Sequence, residues 1–129
     1  MRGLRLGIVG SEGAKFTLET EALARLTIKE LIVKYKPTTV ISGRCPLGGI
    51  DIWAIEEATK NGHALAGHTV YGLEYPPEVE EWDPPGKIGY KARNLSIAKD
   101  SDVVVCITVR ELQDRQDWIP VLNEARLSG

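Results

Sequence analysis

Ser42, Gly43, Gly48, Gly49 and Asp51 fall within one short stretch, VISGRCPLGGID, Val40 to Asp51. An apolar run stops at a Ser-Gly pair, and a second pair of glycines opens a helical pattern. Glycines at such a junction leave the backbone bare, so that another group can come close to it. A helix start adds uncompensated N–H groups and a positive dipole end, which suits an anion such as phosphate. Asp51 opposes that use, because a carboxylate in the first turn complements the same positive end itself. The stretch is therefore either a phosphate loop or one bare wall of a crevice whose helix is served by its own acid. Arg44, directly after the apolar run, suits a phosphate and equally suits an exposed surface.

Two further stretches carry comparable chemistry. GSEG, Gly10 to Gly13, offers Gly10, Ser11 and Glu12 after another apolar run. It is not GxGxxG, and no acid follows the second strand to hold a ribose diol, so a standard dinucleotide site is not indicated. The phosphate-loop pattern GxxxxGK[ST] is absent as well. In KIGYKARN, Lys87, Lys91 and Arg93 crowd the start of a helix, with Gly89 and Asn94 among them, while Asp100 and Asp102 lie at its far end. Both placements oppose the helix dipole. A bound anion would reverse the problem at the start, with backbone amides, Lys87 and Arg93 facing it. The alternative is solvated charge on a short surface helix.

Glu12 is the one acid of the first loop and the only catalytic candidate. It reads as a general base, a ribose contact or a solvent-exposed acid. Ser11 and Ser42 have no histidine placed to complete a Ser-His-Asp triad. His63 and His68 lack ligand spacing with each other or with a cysteine, so neither a metal nor a cofactor is expected. Cys106, inside an apolar run, reads as a small buried residue. Trp53 reads as core or interface. Trp82, in an acidic proline-rich loop, either stacks on a ligand ring or pins its loop.

These residues need a scaffold. Residues 4–10, 38–43, 68–74 and 102–109 are short, apolar and β-branched, as strands are. From Thr17 to Lys36, Ala24, Ile28, Leu31, Ile32 and Tyr35 share one helical face, with Glu19 and Glu21 at the start, Lys34 and Lys36 at the end, and Pro37 as the stop. A second helix runs from Ile50 to Gly62, closed by Asn61-Gly62. A third spans Tyr90 to Asp100, and a last one lies around Pro120 to Leu127. Between Glu74 and Lys87, four prolines and five acids exclude a regular helix or a central strand. Alternating strands and helices, with nearly continuous apolar strands, predict a parallel sheet covered on both faces. The expectation is α/β: a single Rossmann-like three-layer domain over residues 1–129, strand order 3-2-1-4. Winding reverses between the first and fourth strands, and ligands of such sheets bind beyond the carboxyl ends at that reversal. The crevice gathers Gly10, Ser11, Glu12, Ser42, Gly43, Arg44, the Tyr90 helix start and Thr108.

With 129 residues, 43% of them hydrophobic, and a net charge of −2, the chain suits one folded domain with no general pull toward nucleic acid or membrane. No apolar run approaches a membrane span, no signal-peptide core is evident, and the two cysteines are distant. A reduced, cytoplasmic protein is expected.

IVGS at the first strand, VISGRCPLGGIDIWAIEEA, WDPPGKIGYKARN and AKDSDVVVCI together resemble the SLOG superfamily, which includes DNA-processing protein A and LOG-type proteins. Within it they look most like the small YspA/YpsA-like, DUF2493-type proteins. Ser42, Gly43, Gly49 and Asp51 fit that subgroup's SGGAxGxD signature, with Arg44-Cys45-Pro46 replacing the Gly-Ala tract. Gly89, Arg93 and Asn94 fit its later Gly-rich turn and RN pair. The resemblance covers about Leu4 to Val109 and implies a Rossmann-like fold that binds a nucleotide or nucleotide-derived ligand. LOG-type relatives cleave N-glycosidic bonds and carry PGGxGTxxE after the fourth strand. Here TVRELQDRQDWIP stands in its place, without glycine and without the motif's catalytic glutamate.

The leading expectation is a sensor or carrier of a nucleotide-like phosphate ligand. Phosphate would sit at Gly89–Asn94 and Ser42–Gly43, the base or sugar at Ser11 and Glu12, with the Trp82 loop as a lid. The alternative is an N-glycosidase acting through Glu12. A third is an oligomeric interaction protein using Trp118, Ile119, Val121 and Leu122. A homo-oligomer is expected from the exposed edges of so small a sheet. Nucleic acid and membrane are not expected partners.

Overall fold

A computed structural model of the chain describes residues 3–43, 48–75, 90–110 and 112, with the side chains of 90–94 left out. Strands β1 (Arg5–Gly10), β2 (Thr39–Gly43), β3 (Tyr71–Tyr75) and β4 (Val103–Ile107) form one all-parallel sheet in the order β3-β2-β1-β4. Leu6 is in register with Val40 and Val103, and Gly7 with Ile41 and Val104. Helices α1 (Leu18–Tyr35), α2 (Ile50–Ala66) and α3 (Tyr90–Asp100) alternate with the strands, completing a Rossmann-like α/β arrangement. Among the described residues no helix is long and apolar enough to cross a membrane. The acidic proline-rich loop and the helix expected around 120–127 lie outside the described residues.

Local chemistry sets the helix ends. Thr17 caps α1 reciprocally with Thr20: each side chain accepts the other's backbone N–H, at 3.2 and 2.8 Å. At its far end Lys36 takes a left-handed conformation, φ 45°, and donates to the Ile32 carbonyl at 2.8 Å before Pro37. Helix α2 does not stop at Asn61-Gly62. It continues to Ala66, and Gly67, at φ 82°, is the terminating glycine. Gly62 serves packing instead, since a Cβ there would lie 2.6 Å from the Val70 side chain.

Leu6 and Ile8 of β1, Val40 of β2 and Ile107 of β4 meet Ala24, Ile28 and Ile32 of α1 and Ile50, Trp53, Ala54 and Ala58 of α2 in one buried core. The expected face of α1 is therefore the buried one, with Leu31 and Tyr35 packed partly against it. Arg25 fastens α1 to α2. Its Nη1 donates to Glu57 and its Nη2 to Glu56, both at 3.1 Å, and its guanidinium lies 5.4 Å from the Trp53 ring centroid. Glu57 is only 7% exposed at its side chain and also accepts from Asn61 Nδ2 at 2.6 Å.

The opposite face of the sheet carries α3. A Cβ on Gly7 would meet Ser101 Oγ at 2.5 Å, so glycine lets the end of α3 settle on β1. Tyr75, at the end of β3, donates its hydroxyl to the Asp100 carboxylate. Asp102 accepts the Arg5 N–H at 2.8 Å. The two acids that oppose the dipole at the end of α3 thus each hold a donor from the sheet. The central strands are buried on both faces, as expected, with Leu6, Ile8, Val40 and Ile41 each fully buried. Burial in β4 alternates, with Val104 44% exposed and Cys106 exposed rather than buried. A strand at the end of a sheet has a neighbour on one side only, so less of its surface is covered.

Two substitutions test these ties. Glu57→Ala leaves the Arg25 guanidinium without its most buried partner and should lower unfolding free energy by about 2 kcal/mol. The check is a urea midpoint that falls with an unchanged slope. The Tyr75 phenol is held above its ordinary pKa by the Asp100 hydrogen bond and by burial, against a smaller opposing effect of Arg5. A raised folded value means that the bond's contribution is full below the unfolded pKa and disappears as pH rises through the folded one. Tyr75→Phe should be less stable by about 1 kcal/mol at neutral pH, with the gap closing only above about pH 10 in denaturation series.

Candidate functional site

Ser11 joins three elements. Its N–H donates to the Ile107 carbonyl at the end of β4, and its Oγ accepts the Val109 N–H, each at 3.2 Å. Its carbonyl accepts the Ile50 N–H at the start of α2, also at 3.2 Å. The end of β1, the turn after β4 and the first residue of α2 are therefore in backbone contact where the winding reverses.

That contact explains the glycines. A Cβ on Gly10 would lie 2.0 Å from the Ile107 carbonyl oxygen. One on Gly49 would lie 2.3 Å from the Ser11 carbonyl oxygen and 2.7 Å from the Gly13 nitrogen, and φ there is 91°. The group that comes close to the bare backbone of Gly49 is the protein's own first loop. Gly48 differs: its φ of 73° calls for glycine, yet no described atom lies within 4 Å of a Cβ placed there.

The start of α2 is served from within. Ile50 donates to Ser11, and both Ile52 and Trp53 donate to the Gly49 carbonyl, at 3.1 and 3.0 Å. Asp51 lies in the same turn and is 3% exposed. This carboxylate is engaged within the protein, although its Oδ1 accepts no hydrogen bond. Of the two readings of Gly48–Asp51, the bare wall fits better than the self-contained phosphate loop, because few N–H groups remain for an anion.

The Ser42 side chain turns into the sheet. It is fully buried, and its hydroxyl donates to the Ile8 carbonyl at 2.6 Å, a link between β1 and β2 rather than a group offered to a ligand. Gly43 ends β2 and is buried. Glu12 is half-buried and precedes a short 3-10 turn, Gly13–Lys15, to which its carbonyl contributes by accepting the Lys15 N–H at 3.2 Å. Thr108 is half-buried, and its carbonyl accepts the Leu112 N–H at 3.1 Å. Gly10, Ser11, Glu12, Gly49, Asp51 and Thr108 are thus gathered at one edge of the sheet. Arg44, Trp82, Lys87 and Gly89 lie outside the described residues, as do the side chains of Arg93 and Asn94.

No protein-family model, curated protein or solved structure matches the chain. The geometry of the edge itself therefore carries the functional argument.

Phe16 escaped the reading of the sequence. Its ring meets Trp53 edge-on, centroids 4.7 Å apart, and so ties the far side of the Glu12 loop to α2. A lone aromatic just before a capping threonine was the available signal. The two glycines separate the uses of bare backbone. Gly49→Ala should cost at least about 3 kcal/mol, through clash and a strained φ together. Gly48→Ala should cost only about 1 kcal/mol, for φ alone. Equal losses in urea unfolding would contradict the assigned contacts.

Proposed function

We propose that the chain binds a nucleotide or nucleotide-derived phosphate ligand beyond the carboxyl ends of β1, β2 and β4, as a sensor or carrier. One observation carries this reading: the strand order reverses between β1 and β4, and the loops bearing Ser11, Glu12, Gly49 and Thr108 converge at that reversal. Ser11 retains a hydroxyl proton to donate while accepting from Val109. The half-buried Glu12 beside it suits the hydroxyls of a sugar. Because α2 serves its own N–H groups, the phosphate is assigned to the start of α3, where Lys91 and Arg93 fall in the first turn.

A thermal-shift series with nucleoside mono-, di- and triphosphates and inorganic phosphate tests the proposal. At least one phosphate compound should stabilise the wild type, by about 2.7 kcal/mol when present at a hundred times its Kd. Arg93→Ala should abolish most of that shift, and Glu12→Ala should reduce it for nucleotides but not for inorganic phosphate. Absence of any shift, or equal shifts in Arg93→Ala, counts against the assignment.

A further inference from the structure

Among the described residues strand β4 stands at the end of the sheet, but it has the sequence of an interior strand. VVVCI contains no charge, proline or glycine. The opposite edge, β3, reads YGLEY and carries Gly72 and Glu74. Soluble proteins blunt their sheet edges with charge, proline or bulges. β4 has none of these. It pairs with β1 through five successive residues, Val103 to Ile107, without a bulge. The Ile107 carbonyl faces β1, where it accepts the Ser11 N–H. Alternation along the strand then turns the backbone groups of Val104 to the outer edge, and the Val104 side chain is 44% exposed.

We propose that this edge is where a second copy of the chain docks, pairing β4 antiparallel with its counterpart about a two-fold axis at Val105. Charge sets both partner and direction. Exposed Asp102 precedes the strand and exposed Arg110 follows it. Antiparallel pairing sets the acidic end of each copy beside the basic end of the other, whereas parallel pairing would align like charges. The uncharged strand offers its own copy no repulsion, and Val104 comes to lie opposite the second copy's cysteine at 106. Five residues bury little area, so the dimer belongs to the weak class of interfaces. This inference does not depend on the ligand proposal.

Sedimentation across a concentration series up to the solubility limit provides the test, combined with a short bis-maleimide reagent in Cys45→Ser, which leaves Cys106 as the sole thiol. Expected are a closed dimer, a cross-linked dimer band through Cys106, and dimerisation weakened by about tenfold or more in Val104→Lys at unchanged circular dichroism. Should Val104→Lys not fold, Cys106→Lys is read for the same loss of dimer. A wild type that stays monomeric, an open-ended oligomer, a dimer indifferent to the lysine, or a dimer with no Cys106 cross-link overturns the proposal.

Discussion

The three bonds at Ser11 are the constraint from which the rest of the edge follows. A donor to β4, an acceptor for the turn after β4 and an acceptor for the start of α2 meet on a single residue. Bringing three backbones so close leaves no volume for side chains at Gly10 or Gly49. It also withdraws the first N–H of α2 from any outside acceptor. Glycine at these positions thus follows from self-contact, and affinity for an anion has to be sought elsewhere along the edge.

The remaining ties point the same way. Arg25, held by Glu56 and Glu57 and lying over Trp53, joins α1 to α2, and Phe16 extends that contact to the Glu12 loop. On the other face, α3 is fixed at its end by Tyr75 and by the Arg5 backbone. The acids at that end of α3 therefore have a structural role. The proposed anion site rests on Lys91 and Arg93, which the sequence places in the first turn of α3.

Strand order and helix faces were legible in the sequence because each rests on a pattern that any core must obey: short β-branched runs between helices, and apolar residues at helical spacing in α1. What the sequence hid were cases in which one residue type serves two physical ends. Gly62 resembled a helix stop but is a packing glycine, the true stop being Gly67. Ser42 lay in a glycine-rich signature yet bonds to Ile8 inside the sheet. Cys106 belonged to the most apolar run, and only the end position of β4 left it exposed. Each depends on a neighbour distant in sequence, which local spacing does not report.

The bond between Ser11 and Val109 spans 98 positions, and that between Arg5 and Asp102 spans 97. Contacts so remote form late, after the entropy of closing long loops has been overcome. During synthesis β1 is the first of the four strands to emerge, yet its β4 flank has no neighbour until the last of them is made. Until then β1, an interior strand in the finished fold, is itself an edge open to wrong partners. Closing the β1–β4 seam therefore completes the sheet and brings the turn after β4 to Ser11 in the same step.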